Sequence, residues 1–418
     1  MSEMFHEHKE RAGACADCGN SPVNHFETYI LHSLGAWLGS SAKKSPRSGR
    51  VWMRRLERAV ERGGAALAYA LTALGITRFG KDPSAAATYR SQVIWEEAAR
   101  RGIEMEQLIL LGSPTEIYRA RIASRWAYFQ SIPIPPRFVG DRSWIDDKWA
   151  LKRTLARLGV PAPIVRSVTS EKMATEALRE MGGAVVVKPQ VGSRARHTAV
   201  NVRDEADALE AFRSARRLCR YVVMERYLEG SVCRATFVGG TLRGFFQGDA
   251  PRVVGDGVST IGELIHAANS ARPDRVGEIV VSEEHERFLT RFGQRLDSVP
   301  GQGAVVALSH RTGRLFGGRT RELLGKEHPK LRAYLQKAAD ALDVPIIGFD
   351  LIIRDPEADP DTQEWGIIEA NSLPYIDLHS LPLYGEPSNV AAAVWDLWND
   401  TAGDVHTERS TAHRGALG

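Results

Sequence analysis

Apolar residues recur at helical spacing over 51–74, where Trp52, Leu56, Val60, Leu67 and Leu71 form a stripe that Gly63 and Gly64 interrupt. The same period predicts helices over 89–101, 146–159, 170–181, 204–217, 259–268, 328–342 and 389–397, with partial helix in 275–292. Asp146 and Asp147 are placed to cap the helix over 146–159, and Gly159, Pro161 and Pro163 end it. Between the helices lie short β-branched runs at 107–111, 184–188, 221–225, 232–238, 241–247, 304–308, 349–353 and 365–370. Gly239-Gly240 joins two of these runs as a hairpin. Residues 118–129, apolar and basic, read as helix or as entry to a sheet, and Pro133, Pro135 and Pro136 mark a domain boundary. Helices mixed with largely antiparallel strands argue for α+β lobes rather than one doubly wound sheet.

The stretch 348–379 carries the densest chemistry. Residues 355–363 are crowded with Asp, Pro and Glu, which favour a turn between the apolar runs that flank them. Folded about that turn, Asp350 falls opposite Glu369. Glu369 and Asn371, two apart on a strand, share a face. Three oxygen-bearing side chains therefore converge, a donor set suited to Mg²⁺ carrying substrate phosphates. The competing reading is a polar hairpin edge with its acids in water.

Composition bounds the picture without redirecting it. A chain of 418 residues is long enough for two or three domains, and 43% hydrophobic with 25% charged residues is ordinary for a globular protein. A net charge of +4, from 55 basic and 51 acidic residues, does not demand a nucleic-acid partner. The first residues lack the apolar core of a signal peptide, and no run approaches the ~20 apolar residues needed to span a bilayer. With four Cys, these features predict a reducing, cytoplasmic setting with no membrane partner. Cys15 and Cys18 form a C-x2-C pair with His6, His8, His25 and His32 nearby. That is half a zinc motif, against the alternative of a mobile segment with free thiols. The basic stretch 43–50 reads as a solvated linker.

The segments AVVVKP, YVVMERYLEG, GFDLI and IIEANS follow in this order over 184–372. Their order and distances resemble those of the ATP-grasp superfamily. The likeness is closest to the ATP-grasp region of cyanophycin synthetase, through ERYLEG, RVVGDGVSTIGELI, LDSVP and ANSLPYIDLHSLPLYGEPSNVA, and covers about residues 146–397. Glutathione synthetase and D-alanine ligases are more distant. The resemblance implies two α+β lobes clamping ATP, here with a mainly helical N-terminal region. It implies ligation of a carboxylate to an amine through an acyl phosphate, with an amino acid or small peptide as substrate and a homodimer or tetramer as assembly. By the same resemblance, Lys148, Lys188 and Ser193 bind ATP phosphates, and Glu225, Arg226 and Leu228 line the adenine. Asp350, Glu369 and Asn371 hold two Mg²⁺ ions, and Arg234 and Arg319 meet the carboxylate or acyl phosphate. Arg311 and Arg321 are further cations near the same loop, and His197 and His379 are candidates for a general base.

Three departures qualify this. The loop after Lys188 keeps only Gly192 before Ser193, Arg194, Arg196 and His197, where the family has more glycines. Val232 stands where the family has a ribose-binding acid, leaving Glu229 or Ser231 for that contact. No G-x-x-x-x-G-K-[ST] loop occurs, since 324–327 lacks both the upstream glycine and the hydroxyl. One condensation per ATP is therefore expected, not a two-site polymerase. A kinase with a stable phosphorylated product and a non-catalytic ATP-binding scaffold remain as alternatives. The expected layout is a helical extension over 1–83, a linking segment over 84–140, lobes at 141–250 and 251–400, and a disordered tail at 401–418.

Overall fold

A computed structural model describes residues 15–18, 23–30, 32–33, 77–138, 143–192, 196–273, 276–313 and 316–399. The helix expected over 51–74, the basic stretch 43–50, Ser193 and the tail after 400 lie outside these residues.

Strands β1 (Thr77–Gly80), β2 (Met105–Leu110), β3 (Ser113–Ile122) and β4 (Arg125–Gln130) form an antiparallel sheet in sequential order, with helix α1 (Tyr89–Arg100) packed against it. Residues 118–129 are thus sheet rather than helix, and 77–130 is richer in strand than a mainly helical region would be. Packing explains the choice. Tyr118 and Ala120, two apart, are fully buried, and the Tyr118 ring sits between Trp95 and Phe129.

Helix α2 (Lys148–Arg157) starts where Asp147 accepts hydrogen bonds from the Trp149 and Ala150 amides at 3.0 and 2.9 Å. The next layer holds β5 (Val165–Val168), α3 (Glu171–Met181), β6 (Val185–Pro189), β7 (Ala199–Val202), α4 (Glu205–Arg216) and β8 (Val222–Arg226). Its sheet runs β5-β8-β6-β7, all neighbours antiparallel. Ala174, Leu178 and Phe212 from the two helices pack on Val185, Val187 and Met224.

The last lobe opens with β9 (Ser231–Val238) and β10 (Thr241–Gly248). Gly239 and Gly240 join them at φ 59° and 73°, left-handed values that a tight hairpin needs and glycine adopts without strain. A small unit follows, with β11 (Arg252–Val254) paired to β12 (Val305–Ala307) around α5 (Ile261–Ser270) and α6 (Glu283–Arg291). The chain closes with β13 (Thr320–Glu322), α7 (Pro329–Leu342), β14 (Ile346–Ile353), β15 (Gly366–Asn371), α8 (Asp377–Ser380) and α9 (Val390–Asn399). The sheet order is β13-β10-β9-β14-β15.

One face of this sheet is covered by α2 and α7, whose Leu151, Leu155, Leu331 and Leu335 meet Phe237 and Phe349. Each fully buried leucine contributes roughly 1.5–3 kcal/mol. The opposite side packs on α9 and α1, where Trp395 donates its indole N–H to the Ile94 carbonyl at 2.9 Å. The N-terminal sheet is thereby joined to the last lobe through a shared core. No helix among the described residues is long and apolar enough to cross a membrane.

Candidate active site

The site is built on one row of residues across three strands. In the β14–β15 hairpin Asp350 pairs with Glu369, the register that folding about the turn predicts. On its other side β14 pairs with β9, setting Asp350 opposite Arg234. Arg234 donates from Nε and Nη2 to the two Asp350 carboxylate oxygens, both at 2.6 Å, and Asn371 Nδ2 donates to Oδ2 at 3.1 Å. Past this row the register slips: Leu351 pairs with Ile367, leaving Ile368 as a bulge.

The facing wall is lysine. Lys148 and Lys152 lie one turn apart on α2, and Lys188 ends the apolar strand β6. All three are buried, at 1%, 2% and 7% exposure. Glu225 on β8, also buried, forms an ion pair with Lys152 at 2.6 Å and a close one with Lys188. Lys152 also donates to the bulged Ile368 carbonyl at 2.6 Å. Lys148 Nζ reaches Glu369 Oε1 at 3.4 Å as an ion pair without a hydrogen bond. The start of α2 is tied to the end of β6, because Gln190 donates to Asp147 at 2.9 Å and its carbonyl accepts from the Lys148 amide at 3.2 Å.

Four cations therefore face three carboxylates in a region shielded from water. Burial alone would push Glu369 and Glu225 upward, but the lysines hold both carboxyls below their usual range, with Arg234 adding to the effect on Glu369. Burial pushes the Lys152 ammonium down to about 8, against the pull of Glu225. The unfolded chain, with this lysine near 10.5, binds more protons between those two values, so stability gained relative to Lys152→Met should rise with pH across that window. The expected rise is at most about 3 kcal/mol. Urea midpoints of both chains measured from pH 7.5 to 10 check it, and a constant difference would refute it.

Between the two walls is a cavity of about 590 Å³. Its lining takes in Lys188, Glu225, Arg226, Leu228 and Glu369, together with the apolar Pro163, Val186 and Ile368. Lys148, Asp350, Asn371 and Arg234 stand behind or beside this lining, joined to it through Glu369 and the lysines. Arg319 lies away from this row: its side chain is exposed and its carbonyl accepts from the Asp249 amide at 2.9 Å. Arg311 lines the cavity, bonds Glu284 through Nε at 2.8 Å, and keeps a buried Nη2 without a hydrogen-bond partner. Arg321 pairs with Glu357 at 3.2 Å near the surface.

Neither histidine suggested as a base faces the cavity with a spare nitrogen. His379 uses Nδ1 on Glu322 at 2.8 Å and Nε2 on Thr236 at 2.7 Å. His197 turns Nδ1 to the Ser214 carbonyl at 2.9 Å and Nε2 toward Cys15 and Cys18. Val232 lines the cavity, and so does an acid that sequence reasoning missed. Asp249, at the end of β10, accepts from Ser231 Oγ at 2.7 Å and lies in the same lining. Glu229 instead pairs with Arg354 at 2.7 Å in the open. Lys152 was also missed, although its i, i+4 relation to Lys148 puts both on one helix face.

No protein-family model matches the chain. Cyanophycin synthetase of Trichormus variabilis is 31% identical over 258 residues, 60% of this chain and 29% of the relative. This likeness agrees with the resemblance to ATP-grasp ligases that the sequence motifs carry. The glutathione biosynthesis bifunctional protein GshAB of Mannheimia succiniciproducens is 27% identical over 313 residues, 71% of this chain and 40% of that protein. The chain spans 29% and 40% of the length of these two curated relatives. Among solved structures, a bifunctional glutathione synthetase from Pasteurella multocida superposes with a TM-score of 0.47 at 22% identity, over 74% of this chain and 43% of the other.

Proposed function

We propose that the chain is an ATP-dependent carboxylate–amine ligase that joins an amino acid or small peptide to an amine through an acyl phosphate. The observation that carries this reading is the pair of walls: three buried lysines facing a row of oxygen donors that Arg234 continues, beside a cavity with an apolar end. In this reading the apolar end, with Val186, Leu228 and Ile368, takes the adenine. Lys148 and Lys188 hold the phosphates, and Lys152 keeps Glu225 in place beneath the base. Asp249 with Ser231 supplies the ribose contact that Val232 cannot.

Two unpartnered donors support an anionic occupant. Lys148 Nζ and Arg234 Nη1 are buried without a hydrogen-bond partner, a costly state that a phosphate or carboxylate oxygen relieves. Asp350, Glu369 and Asn371 offer hard oxygens on adjacent strands, which fits Mg²⁺, and these three would hold it. Mg²⁺ held by these side chains would supply charge neutralisation to the phosphates. The substrate carboxylate attacks the γ-phosphoryl and ADP leaves. The amine then attacks the acyl carbon, the carbon–oxygen bond to phosphate breaks, and the amide forms with loss of a proton. Arg234 and the lysines steady the charge that moves through both steps.

The test is ADP release from the purified chain with ATP, Mg²⁺ and pools of amino acids and peptides, followed by mass spectrometry. A condensed product of two substrates, with ADP release that depends on the amine, is expected. A single substrate carrying a phosphate would instead establish the kinase, and no turnover with tight ATP binding would establish the scaffold.

A further inference from the structure

The C-x2-C pair acquires a setting that its sequence neighbours did not disclose. Cys15 and Cys18 flank a 3-10 turn, Ala16–Cys18, and His25 begins the short helix at 25–30. A fourth group arrives from far along the chain: His197, at the end of the loop between β6 and β7. The two Sγ atoms and one ring nitrogen from each histidine all lie within 4.8 Å of one another. Cys18 Sγ is 3.2 Å from His25 Nε2 and 3.5 Å from His197 Nε2, and Cys15 Sγ is 3.7 Å from His197 Nε2. A tetrahedral zinc ion with Zn–S near 2.3 Å and Zn–N near 2.0–2.1 Å sets its ligand atoms about 3.3–3.8 Å apart. The three contacts follow that scale.

The surroundings fix the chemistry further. His197 Nδ1 faces the Ser214 carbonyl at 2.9 Å, so it carries the proton and leaves the Nε2 lone pair toward the sulfurs. Ser214 Oγ donates to Asp17 at 2.5 Å, Arg287 donates to Asp17 at 2.6 Å, and the His197 amide donates to the Asp17 carbonyl at 3.0 Å. His197 holds a left-handed backbone at φ 49°, a cost that a non-glycine residue bears only where its surroundings require it. Arg217 Nη1 lies 4.0 Å from Cys15 Sγ. All four cysteines of the chain are free of disulfide bonds.

We infer that Cys15, Cys18, His25 and His197 form a tetrahedral structural zinc site that pins the N-terminal segment to the loop following the phosphate-side lysine. Two thiolates and two neutral imidazoles balance the ion's charge, and binding releases the two thiol protons. All four positions are filled by protein, so the ion has no open position for catalysis. Its effect is mechanical. The loop carries a single glycine, Gly192, and the N-terminal segment lies against it. A Cβ at Gly192 would come within 2.4 Å of the His32 ring, and Ser33 accepts from the Arg220 amide at 3.0 Å. The site stands whether or not the ligase reading does, because its readout is the metal.

The 418-residue chain, purified without chelator, should carry about one zinc by mass spectrometry of the metal. Cys18→Ser and His197→Gln should each lower that content at least tenfold, and Cys219→Ser should leave it unchanged. The wild-type chain, stripped and titrated with Co²⁺, should show the visible bands of tetrahedral cobalt and a thiolate charge-transfer band, a readout that needs no variant to fold. A wild-type chain that neither carries zinc nor gives the tetrahedral cobalt spectrum would overturn the proposal. So would a Cys15–Cys18 disulfide in the native protein, or full zinc retention in Cys18→Ser.

Discussion

Glu369→Gln should lower amine-dependent ADP release by 10²–10³-fold, a loss of about 3–4 kcal/mol of transition-state stabilisation. The substitution keeps the shape of the side chain and removes its charge at the point where Lys148 and the oxygen row meet. ATP binding, followed by calorimetry, should weaken far less, because Lys188 and the apolar end of the cavity are untouched. Raising Mg²⁺ should recover part of the rate if the lost oxygen is a ligand. A turnover within threefold of wild type, under single-turnover conditions, would remove Glu369 from the reacting centre. Asp350→Asn is a weaker discriminator, since it also deprives Arg234 of its bidentate partner and so mixes chemistry with stability.

Glu225→Gln should cost roughly 3–5 kcal/mol of stability, because it leaves two buried ammonium groups without their counter-charge. Denaturant midpoints measure this, with two probes to establish whether the lobes unfold together. The triple variant Glu225→Leu, Lys152→Met, Lys188→Met should regain much of that loss, since apolar groups of like volume replace a buried ionic cluster at little cost. It should not regain nucleotide binding. A loss below about 1 kcal/mol for the single variant would mean that water reaches the cluster and screens it.

The hairpin register was legible because the acidic, proline-rich turn at 355–363 fixes its own centre, and alternation then decides which side chains share a face. The lysine of β6 was legible because a charge closing an apolar strand has few ordinary explanations. Lys152 was not, although it falls on the same helix face as Leu151 and Leu155. A lysine in an amphipathic helix is normally assigned to water, and nothing local says that a glutamate from β8 awaits it. The strands at 113–130 were ambiguous because burial of Tyr118 depends on Trp95 and Phe129, which only the folded chain brings together. His197 had no local signal at all: its sulfur partners lie 179 and 182 positions away.

The bulge at Ile368 has a consequence for how this site tolerates change. With one residue out of step, the main chain turns a carbonyl away from its strand neighbour and toward the α2 ammonium. Lys152 is thus anchored partly by a group that no side-chain substitution removes. Deleting Ile368 would restore regular pairing next to the Asp350–Glu369 pair and remove the carbonyl that Lys152 uses, leaving that ammonium with one partner fewer. A length change there is therefore far more damaging than a change of letter. Relatives that share the lysine should keep the same spacing between the tight turn and the acid.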